Sequence, residues 1–218
     1  MKIDFITIFP DIFASYINES IIRRARGRGL VDINVHDLRE FTDDKHNTVD
    51  DTPYGGGAGM VLKVEPIDRC VTEIKAQSDE DKRSRVILLS AKGKQYTQRD
   101  AERLKEYEQL IFICGRYEGV DERVAEHIAD EEISIGDYVL TGGELGALVV
   151  SDSVVRLLPD VLGNDDSAIF ESHSRDGYNE HPHYTKPEEY NGWHAPEILL
   201  SGNHAKIEQW RKSNAKQK

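Results

Sequence analysis

Two glycine-containing segments carry the clearest chemistry in this chain of 218 residues. They are residues 111–123 (Ile-Phe-Ile-Cys-Gly-Arg-Tyr-Glu-Gly-Val-Asp-Glu-Arg) and residues 132–144 (Glu-Ile-Ser-Ile-Gly-Asp-Tyr-Val-Leu-Thr-Gly-Gly-Glu). Each runs from an apolar strand into a glycine turn, where backbone N–H and C=O groups can approach a ligand that a Cβ would exclude. Ligands of open α/β sheets bind beyond the carboxyl ends of the strands. The two segments therefore predict a ligand crevice.

The class of ligand follows from what these segments lack. The second segment opens a long apolar helix and has no lysine for phosphate, which favours a nucleoside-like ligand over a triphosphate. A third glycine run, residues 54–60 (Tyr-Gly-Gly-Gly-Ala-Gly-Met), lacks the Gly-Lys-Ser/Thr ending of a P-loop and does not follow a strand directly. Taken alone, each glycine run is still open to a simpler interpretation, in which glycine only permits a turn.

Composition bounds the class of protein. The length of 218 residues suffices for one α/β domain with a small appendage, and 38% hydrophobic with 31% charged residues is typical of an ordinary soluble globular protein. No apolar stretch approaches the roughly 20 residues of a membrane-spanning helix, and the N-terminus alternates like a strand, unlike a signal peptide. We expect a cytoplasmic protein without a membrane partner. Cys70 and Cys114 lie in apolar runs and are expected to be reduced core residues.

The net charge of −12 argues at first against a nucleic-acid partner, because phosphate neutralisation drives most non-specific affinity. The distribution of basic residues qualifies this. They gather at Arg23, Arg24, Arg26 and Arg28, at Lys82, Arg83 and Arg85, and in the tail at 206–218. An acidic body with basic patches suits a selective, salt-sensitive RNA contact, although an ordinary solvated surface is the favoured interpretation of any single patch.

Apolar periodicity predicts a βα alternation. Strands are predicted at 3–9, 31–36, 86–90, 110–114 and 132–135, a helix follows Pro66, and Thr97 with Asp100 caps the next helix. The longest helix is predicted from Gly143 or Glu144 to Leu158, before Pro159. Its apolar composition indicates burial, which a second subunit can provide. Polar residues dominate 163–192, and Asn203 is a candidate cap for a short helix at 205–212 with Ile207 and Trp210 on one face.

The two glycine segments carry a family resemblance when they are taken with residues 50–60 and 199–204 (Leu-Leu-Ser-Gly-Asn-His). In one collinear order from Met1 to about Trp210, the chain resembles the bacterial tRNA (guanine-N1)-methyltransferases of the knotted SPOUT superfamily. The resemblance implies a mostly parallel sheet flanked by helices, with a C-terminal trefoil knot and a short helical C-terminal appendage. It further implies a homodimer with active sites at the subunit interface. Chain-order rules alone would predict an unknotted, doubly wound sheet.

The resemblance also implies the activity and the division of the chain. A methyl group is expected to pass from S-adenosylmethionine to N1 of guanosine 37 in tRNA, next to the anticodon. Residues 1–162 would form the knotted cofactor-binding domain, residues 163–192 a flexible linker with the general base, and residues 193–218 a helical tRNA-binding region. The cofactor-binding residues would be Ser90, Gly115, Tyr117, Glu118, Ile135, Gly136, Asp137, Tyr138, Val139, Leu140, Gly142 and Gly143.

Asp176 and Arg156 match the catalytic residues of the family, as general base and catalytic arginine. N1 of guanine is a poor nucleophile until its proton leaves, and negative charge then develops on O6. A carboxylate has to take the proton, and a cation has to meet that oxygen. Without the resemblance, the same residues would read as a surface aspartate and a salt-bridging arginine. The target base is expected to be held by Tyr54, Gly55, Gly56, Gly57 and Gly59.

Five of the eight histidines lie between His173 and His204, which raises the question of a metal site. Their spacing fits neither zinc nor iron, so no metal ligand is predicted. His181, His183 and His194 are instead expected to be polar loop residues near RNA. Magnesium is suggested by the resemblance alone.

Four positions depart from the family pattern. Ala91 and Lys92 replace a usual proline and polar residue after Ser90, Thr52 replaces a usual arginine, and Ala58 a usual proline. The chain also ends soon after Trp210, and we expect these differences to affect RNA affinity more than chemistry. Alternative functions are another knotted RNA methyltransferase with a different target nucleotide and a noncatalytic tRNA-binding relative. The lack of a phosphate-binding lysine disfavours a small-molecule nucleotide enzyme.

Overall fold

The computed structural model describes residues 1–78, 82–163 and 171–217. The chain forms two compact units, Met1–Gly163 and Asn164–Lys218. The predicted end of the first domain lies one residue before this division. The separate linker at 163–192 and the tRNA-binding region at 193–218 stay predictions.

The first unit alternates strands and helices. Its strands are β1 (Lys2–Thr7), β2 (Asp32–Asp37), β3 (Asp50–Asp51), β4 (Val61–Leu62), β5 (Ser84–Gln95), β6 (Gln109–Cys114) and β7 (Glu131–Ser134). Its helices are α1 (Asp11–Ile17), α2 (Ser20–Gly27), α3 (Val64–Ala76), α4 (Gln98–Leu104), α5 (Glu122–His127) and α6 (Glu144–Val155), with a 3₁₀ turn at Leu38–Phe41. All five longer strands were predicted, as were α3, α4 and α6.

Five parallel strands form one sheet in the order β2-β1-β6-β5-β7. Every residue of β6 is buried, as expected for a strand covered by helices on both faces. Phe5, Phe13 and Phe112 stack in the core of one face, while Ile67 and Ile113 belong to the core of the other. The predicted α/β class with a mostly parallel sheet is confirmed.

Among the predicted boundaries that were wrong, two have a local cause. β1 ends at Thr7, because the Thr7 Oγ1 accepts a hydrogen bond from the N–H of Phe9 (2.9 Å) and turns the chain. Helix α6 ends at Val155 and not at Leu158. The N–H of Leu158 bonds to the carbonyl three residues earlier, so the last turn tightens out of the α-helical pattern. The cap of α4 is confirmed, since the Asp100 carboxylate accepts from the N–H (3.1 Å) and hydroxyl (2.8 Å) of residue 97.

Helix α6 is buried along one face only. Ala147, Val150 and Val154 belong to the core, whereas Leu145 and Val149 are 57% and 50% exposed. The prediction of a buried helix therefore holds for one face of α6. The predicted burial of the other face against a second subunit stays a prediction.

Strand β5 leaves the sheet and returns to it. Leu89 and Lys94 both pair with Ile133 of β7, so residues 90–93 loop out between two contacts with the same residue. A Cβ on Gly93 would lie 2.7 Å from the backbone N of Ile133, which only glycine tolerates. The loop that contains Ser90 is thus held at both ends.

The second unit contains β8 (Tyr178–Asn179), β9 (Glu189–Tyr190), β10 (Trp193–His194), α7 (Glu197–Leu200), α8 (His204–Asn214) and β11 (Lys216–Gln217). β8 pairs with β11, and β9 with β10, both antiparallel. The predicted Asn203 cap is confirmed, since its side chain accepts from the N–H of Lys206 (3.2 Å). None of residues 171–216 is buried.

Cys70 and Cys114 are both buried and free, as predicted. Burial raises the pKa of each thiol well above its usual range, which keeps both thiols protonated. In the ranges that the structure describes, no helix is long and apolar enough to span a membrane.

Candidate functional site

A cavity of about 410 Å³ opens at the carboxyl ends of β6 and β7 and beside the loop of β5. This volume lies within the range of small-molecule sites, about 300–1,000 Å³. Three stretches of the first unit form its walls, at 88–92, 115–120 and 133–143. The crevice predicted from the two glycine segments is therefore present.

Almost all predicted cofactor residues line this cavity. They are Ser90, Gly115, Tyr117, Glu118, Ile135, Gly136, Tyr138, Val139, Leu140, Gly142 and Gly143. Asp137 does not belong to the lining, although both of its neighbours do. The assignment of these residues to a particular ligand stays a prediction.

The two glycine segments contact each other through their backbones. The N–H of Gly143 donates to the carbonyl of Gly115 (2.9 Å). A Cβ on Gly143 would lie 2.8 Å from the Cα of Cys114, a backbone atom that cannot yield. Tyr138 folds back over Gly136, where a Cβ would come within 2.4 Å of its ring. Glycine is required here for close packing of the cavity wall.

The wall at 88–92 includes two of the four residues that depart from the family pattern. Ala91 and Lys92 both line the cavity, and the Lys92 ammonium forms an ion pair with Glu122 at its edge. Both side chains are more than half exposed. The hydrogen bond that Lys92 donates to the Glu122 carboxylate, together with the charge of Glu132, outweighs desolvation and holds the pKa of Lys92 above its usual value. Lys92 is thus already partnered by a carboxylate, which argues against phosphate binding.

The glycine loop at 54–59 lies outside the cavity lining but adjoins it. A Cβ on Gly59 would come within 2.4 Å of a carboxylate oxygen of Glu118, which lines the cavity. The N–H of Glu118 donates to the carbonyl of Met60 (3.1 Å), which ties the loop to the first glycine segment. Tyr54 is fully exposed and contributes nothing to the cavity.

The two predicted catalytic residues lie in different units. Arg156 is the C-terminal cap of α6 and is partly exposed. Asp176 lies in the second unit, two residues before β8, and is exposed. Neither residue belongs to the cavity lining. Their predicted roles stay predictions.

The donor groups of the cavity suit a nucleoside-like ligand. Glycine backbones form much of the wall and leave N–H and C=O groups accessible, while Leu88, Leu89, Ile133 and Ile135 provide an apolar surface. In the part of the chain that the structure describes, no group of three or more His, Cys, Asp or Glu side chains is placed to hold a metal ion. The assignment of the cavity to the adenosyl group of S-adenosylmethionine stays a prediction.

A family model described as "tRNA (Guanine-1)-methyltransferase TrmD" matches residues 1–218. The chain belongs to this family. It is 56% identical over 215 residues to a "tRNA (guanine-N(1)-)-methyltransferase" of Anoxybacillus flavithermus, covering 99% of this chain and 86% of that protein. Relatives with the same name from Bacillus pumilus and Dehalococcoides mccartyi are 53% and 54% identical, each over 99% of this chain and 87% and 86% of their own length. The resemblance stated from the glycine motifs is confirmed.

Several lining residues of this methyltransferase were missed by sequence reasoning. Arg116, Ser134 and Thr141 line the cavity, although only their neighbours were assigned, and Gly146 lines it three residues after the last assigned glycine, Gly143. Arg116 lies between two assigned residues, Gly115 and Tyr117, so its position in the motif was the available signal. Gly93 was also missed, and its signal was a glycine three residues after Ser90.

The histidines of the second unit form side-chain contacts with each other and with aromatic residues. The rings of His181 and His183 lie 4.6 Å apart, and His181 is also 6.1 Å from the ring of Trp210. His183 contacts the Glu180 carboxylate at 2.9 Å. The predicted proximity of these histidines to RNA stays a prediction.

Proposed function

We propose that this chain transfers a methyl group from S-adenosylmethionine to N1 of guanosine 37 in tRNA, next to the anticodon. The observation that carries the proposal is the cavity formed by both glycine segments, in a chain that matches the methyltransferase family from residue 1 to residue 218. The guanine-N1 chemistry is that of the relatives' name. The methyl donor and the nucleotide position extend that name to this chain.

Backbone groups are assigned to the adenosyl part of the donor. Gly115 and the stretch 135–140 would hold adenine and ribose, with Gly142 and Gly143 giving close passage. When bound, the donor supplies an electrophilic methyl group on a sulfonium. The protein contributes a preformed, mostly apolar wall, which lowers the entropy lost on binding.

Asp176 is assigned as the base that takes the N1 proton, and Arg156 as the cation that meets the charge on O6. A carboxylate is a weak base, so much of the rate must come from positioning and charge stabilisation. Both residues are accessible to a large substrate, since Asp176 is exposed and Arg156 partly exposed. Magnesium, suggested by resemblance alone, is tested by adding and withholding it in the assay below.

A knotted homodimer in the cytoplasm is part of the proposal. The exposed apolar side chains of Leu145 and Val149 lie on α6, the helix capped by Arg156. Contact with a second copy of the chain would remove this apolar surface from water. We assign Arg156 and Asp176 to one active site from different subunits. Mixing inactive Arg156→Ala and Asp176→Ala chains should then restore activity in heterodimers. Absence of recovery, with heterodimers demonstrated by differently tagged chains, would exclude the shared site.

Basic side chains are available for the tRNA backbone in both units. Arg23 and Arg24 are exposed on α2, and Lys206, Arg211 and Lys212 are exposed on α8. On a chain with net charge −12, such patches give a contact that weakens steeply with salt.

The deciding experiment follows labelled methyl transfer to an unmodified tRNA transcript with guanosine at position 37. The same transcript with adenosine at that position is the matched control. Transfer to the first transcript alone supports substrate and position together. Equal transfer to both would indicate another target nucleotide, and no transfer with the donor still bound would indicate a noncatalytic tRNA-binding relative.

A further inference from the structure

A buried carboxylate lies directly behind the cavity wall. Glu144, the first residue of α6, is 1% exposed and does not line the cavity. The Arg116 Nε lies 3.1 Å from its Oε1 and 3.0 Å from its Oε2. The Thr7 hydroxyl donates to the same Oε1 at 2.7 Å. A carboxylate this deeply buried is costly unless it is paired, so the three side chains depend on one another.

Arg116 connects three separate parts of the first unit. Besides its ion pair with α6, its Nη1 donates to the carbonyl of Thr141 in the second glycine segment (3.2 Å). Its guanidinium also lies 4.7 Å from the ring centroid of Phe9, just after β1. The residue itself belongs to the first glycine segment. One side chain therefore joins both glycine segments and the end of β1.

This ion pair explains why position 142 is glycine. A Cβ there would lie 2.2 Å from the Arg116 Nε and 2.5 Å from the Glu144 Oε2. The pair thus lies against Gly142, which itself lines the cavity. Glycine has no side chain that could restrict the backbone, so the distance between the two glycine segments has to be fixed by contacts from other residues.

We propose that Arg116, Glu144 and Thr7 form a positioning device that holds the two glycine segments at the separation the methyl donor requires. Glu144 and Thr7 do not line the cavity, and they act on the donor only through Arg116 and Thr141. The proposal rests on the proposed function, because it assigns the cavity to S-adenosylmethionine. The Arg116–Glu144 ion pair is buried in low-dielectric surroundings, which strengthen it, and it therefore restricts the movement of the two glycine segments.

The test compares donor binding by calorimetry for the wild-type chain and for Arg116→Lys and Glu144→Gln. Each change removes part of a charged hydrogen-bond network and should weaken binding by about 10- to 100-fold. Arg123→Lys is the matched control, because the Arg123 Nε also donates to a carboxylate, that of Asp121 (2.8 Å), but is exposed and outside the cavity lining. We expect the control to bind the donor like the wild type.

A second readout uses the ligand-free protein. Amide hydrogen exchange at 137–143 should quicken in both variants, while exchange in the central strand β6 stays slow. Weakened binding in Arg116→Lys but not in Glu144→Gln would mean that Arg116 only contacts the donor itself, which overturns the positioning role. Unchanged binding in both variants would overturn it as well.

The milder variant Thr7→Val serves if Glu144→Gln does not fold. This substitution removes the hydroxyl that donates to Glu144 and should weaken donor binding several-fold. Binding equal to that of the wild type would overturn the proposal. The proposed function fails separately, at the wild-type chain, if that chain does not bind the donor at all.

Discussion

The two units of the chain differ in how much apolar core stabilises each of them. The first unit has a five-stranded parallel sheet with buried cores on both faces, and its cavity is formed by the ends of those strands. In the second unit, residues 171–216 include no buried residue, and its strands are two residues long. The cavity is therefore a consequence of a core, whereas the segment with Asp176 has none of its own. A segment of this kind gains order from the surface that it binds.

In the proposed function, the first unit binds the methyl donor and the second unit removes the proton. The largest effect is expected for Asp176→Ala. Loss of the proposed base should lower the rate of methyl transfer by about 100- to 10,000-fold, while donor affinity stays within about twofold. Single-turnover kinetics and calorimetry measure the two quantities. Glu188→Ala, another exposed carboxylate of the second unit, is the control. If Asp176→Ala also lost donor affinity, the division of donor binding and proton removal between the two units would be contradicted.

Gly143→Ala tests the other side of the contrast. Its Cβ would meet the Cα of Cys114 at 2.8 Å, so we expect a loss of about 1–3 kcal/mol in the free energy of unfolding, together with weakened donor binding. Gly27→Ala, at the end of α2 with nothing within 4 Å, should be neutral or stabilising. Urea unfolding followed by far-UV circular dichroism measures both.

The same unfolding experiment separates the two units. Trp193 and Trp210, the only tryptophans, both lie in the second unit, so their fluorescence reports that unit. Gly143→Ala should shift the dichroism transition. If it shifted only the fluorescence transition, which reports the second unit, Gly143 and the cavity would not depend on the folded core of the first unit.

The acid stability of the first unit should depend on Glu131. Burial raises the pKa of this carboxyl, but hydrogen bonds from Arg103 and Arg85 outweigh burial and hold the pKa below its usual value. A lowered folded-state pKa stabilises above the unfolded value and is lost as the pH falls through the folded value. Glu131→Gln should therefore cost about 1 kcal/mol at neutral pH, and its difference from the wild type should shrink below about pH 4. A constant difference across this range would contradict the ion pairs.

The smallest effect is expected at the edge of the cavity. The Lys92–Glu122 pair is exposed on both sides, so Lys92→Ala should weaken donor binding by no more than about threefold. Lys94→Ala is the informative comparison, because the Lys94 Nζ contacts the buried carboxylate of Asp100 at 2.7 Å. We expect the second variant to lose more stability in urea unfolding. A larger effect of Lys92 on binding would give this departure from the family pattern a role in donor recognition.

Local sequence patterns predicted the elements that bury apolar residues. The continuous apolar run of β6 and the spacing of Ile67, Cys70 and Ile74 on α3 need no knowledge of distant contacts. The site residues came from the family resemblance, because glycine turns alone do not specify a ligand.

The features that local patterns did not predict depend on contacts between residues far apart in the sequence. β5 extends to Gln95 because Lys94 and Gln95 pair with β7, although both are polar. Arg116 and Glu144 are 28 residues apart, and no periodicity relates them. In the second unit, Lys216 pairs with Asn179 through polar two-residue strands, which carry no hydrophobic alternation. A pairing of this kind is decided by the folded backbone and not by local propensity.

The double contact of β5 with Ile133 has a consequence for the rate of ligand exchange. A four-residue loop that is held at both ends by one neighbouring residue cannot swing outward like a hinged flap. The opposite wall has more freedom, since Tyr138 and Val139 are 55% and 86% exposed. Release of a product from the cavity should therefore be timed by the motion of residues 136–141, while the side that contains Ser90 remains a fixed reference surface.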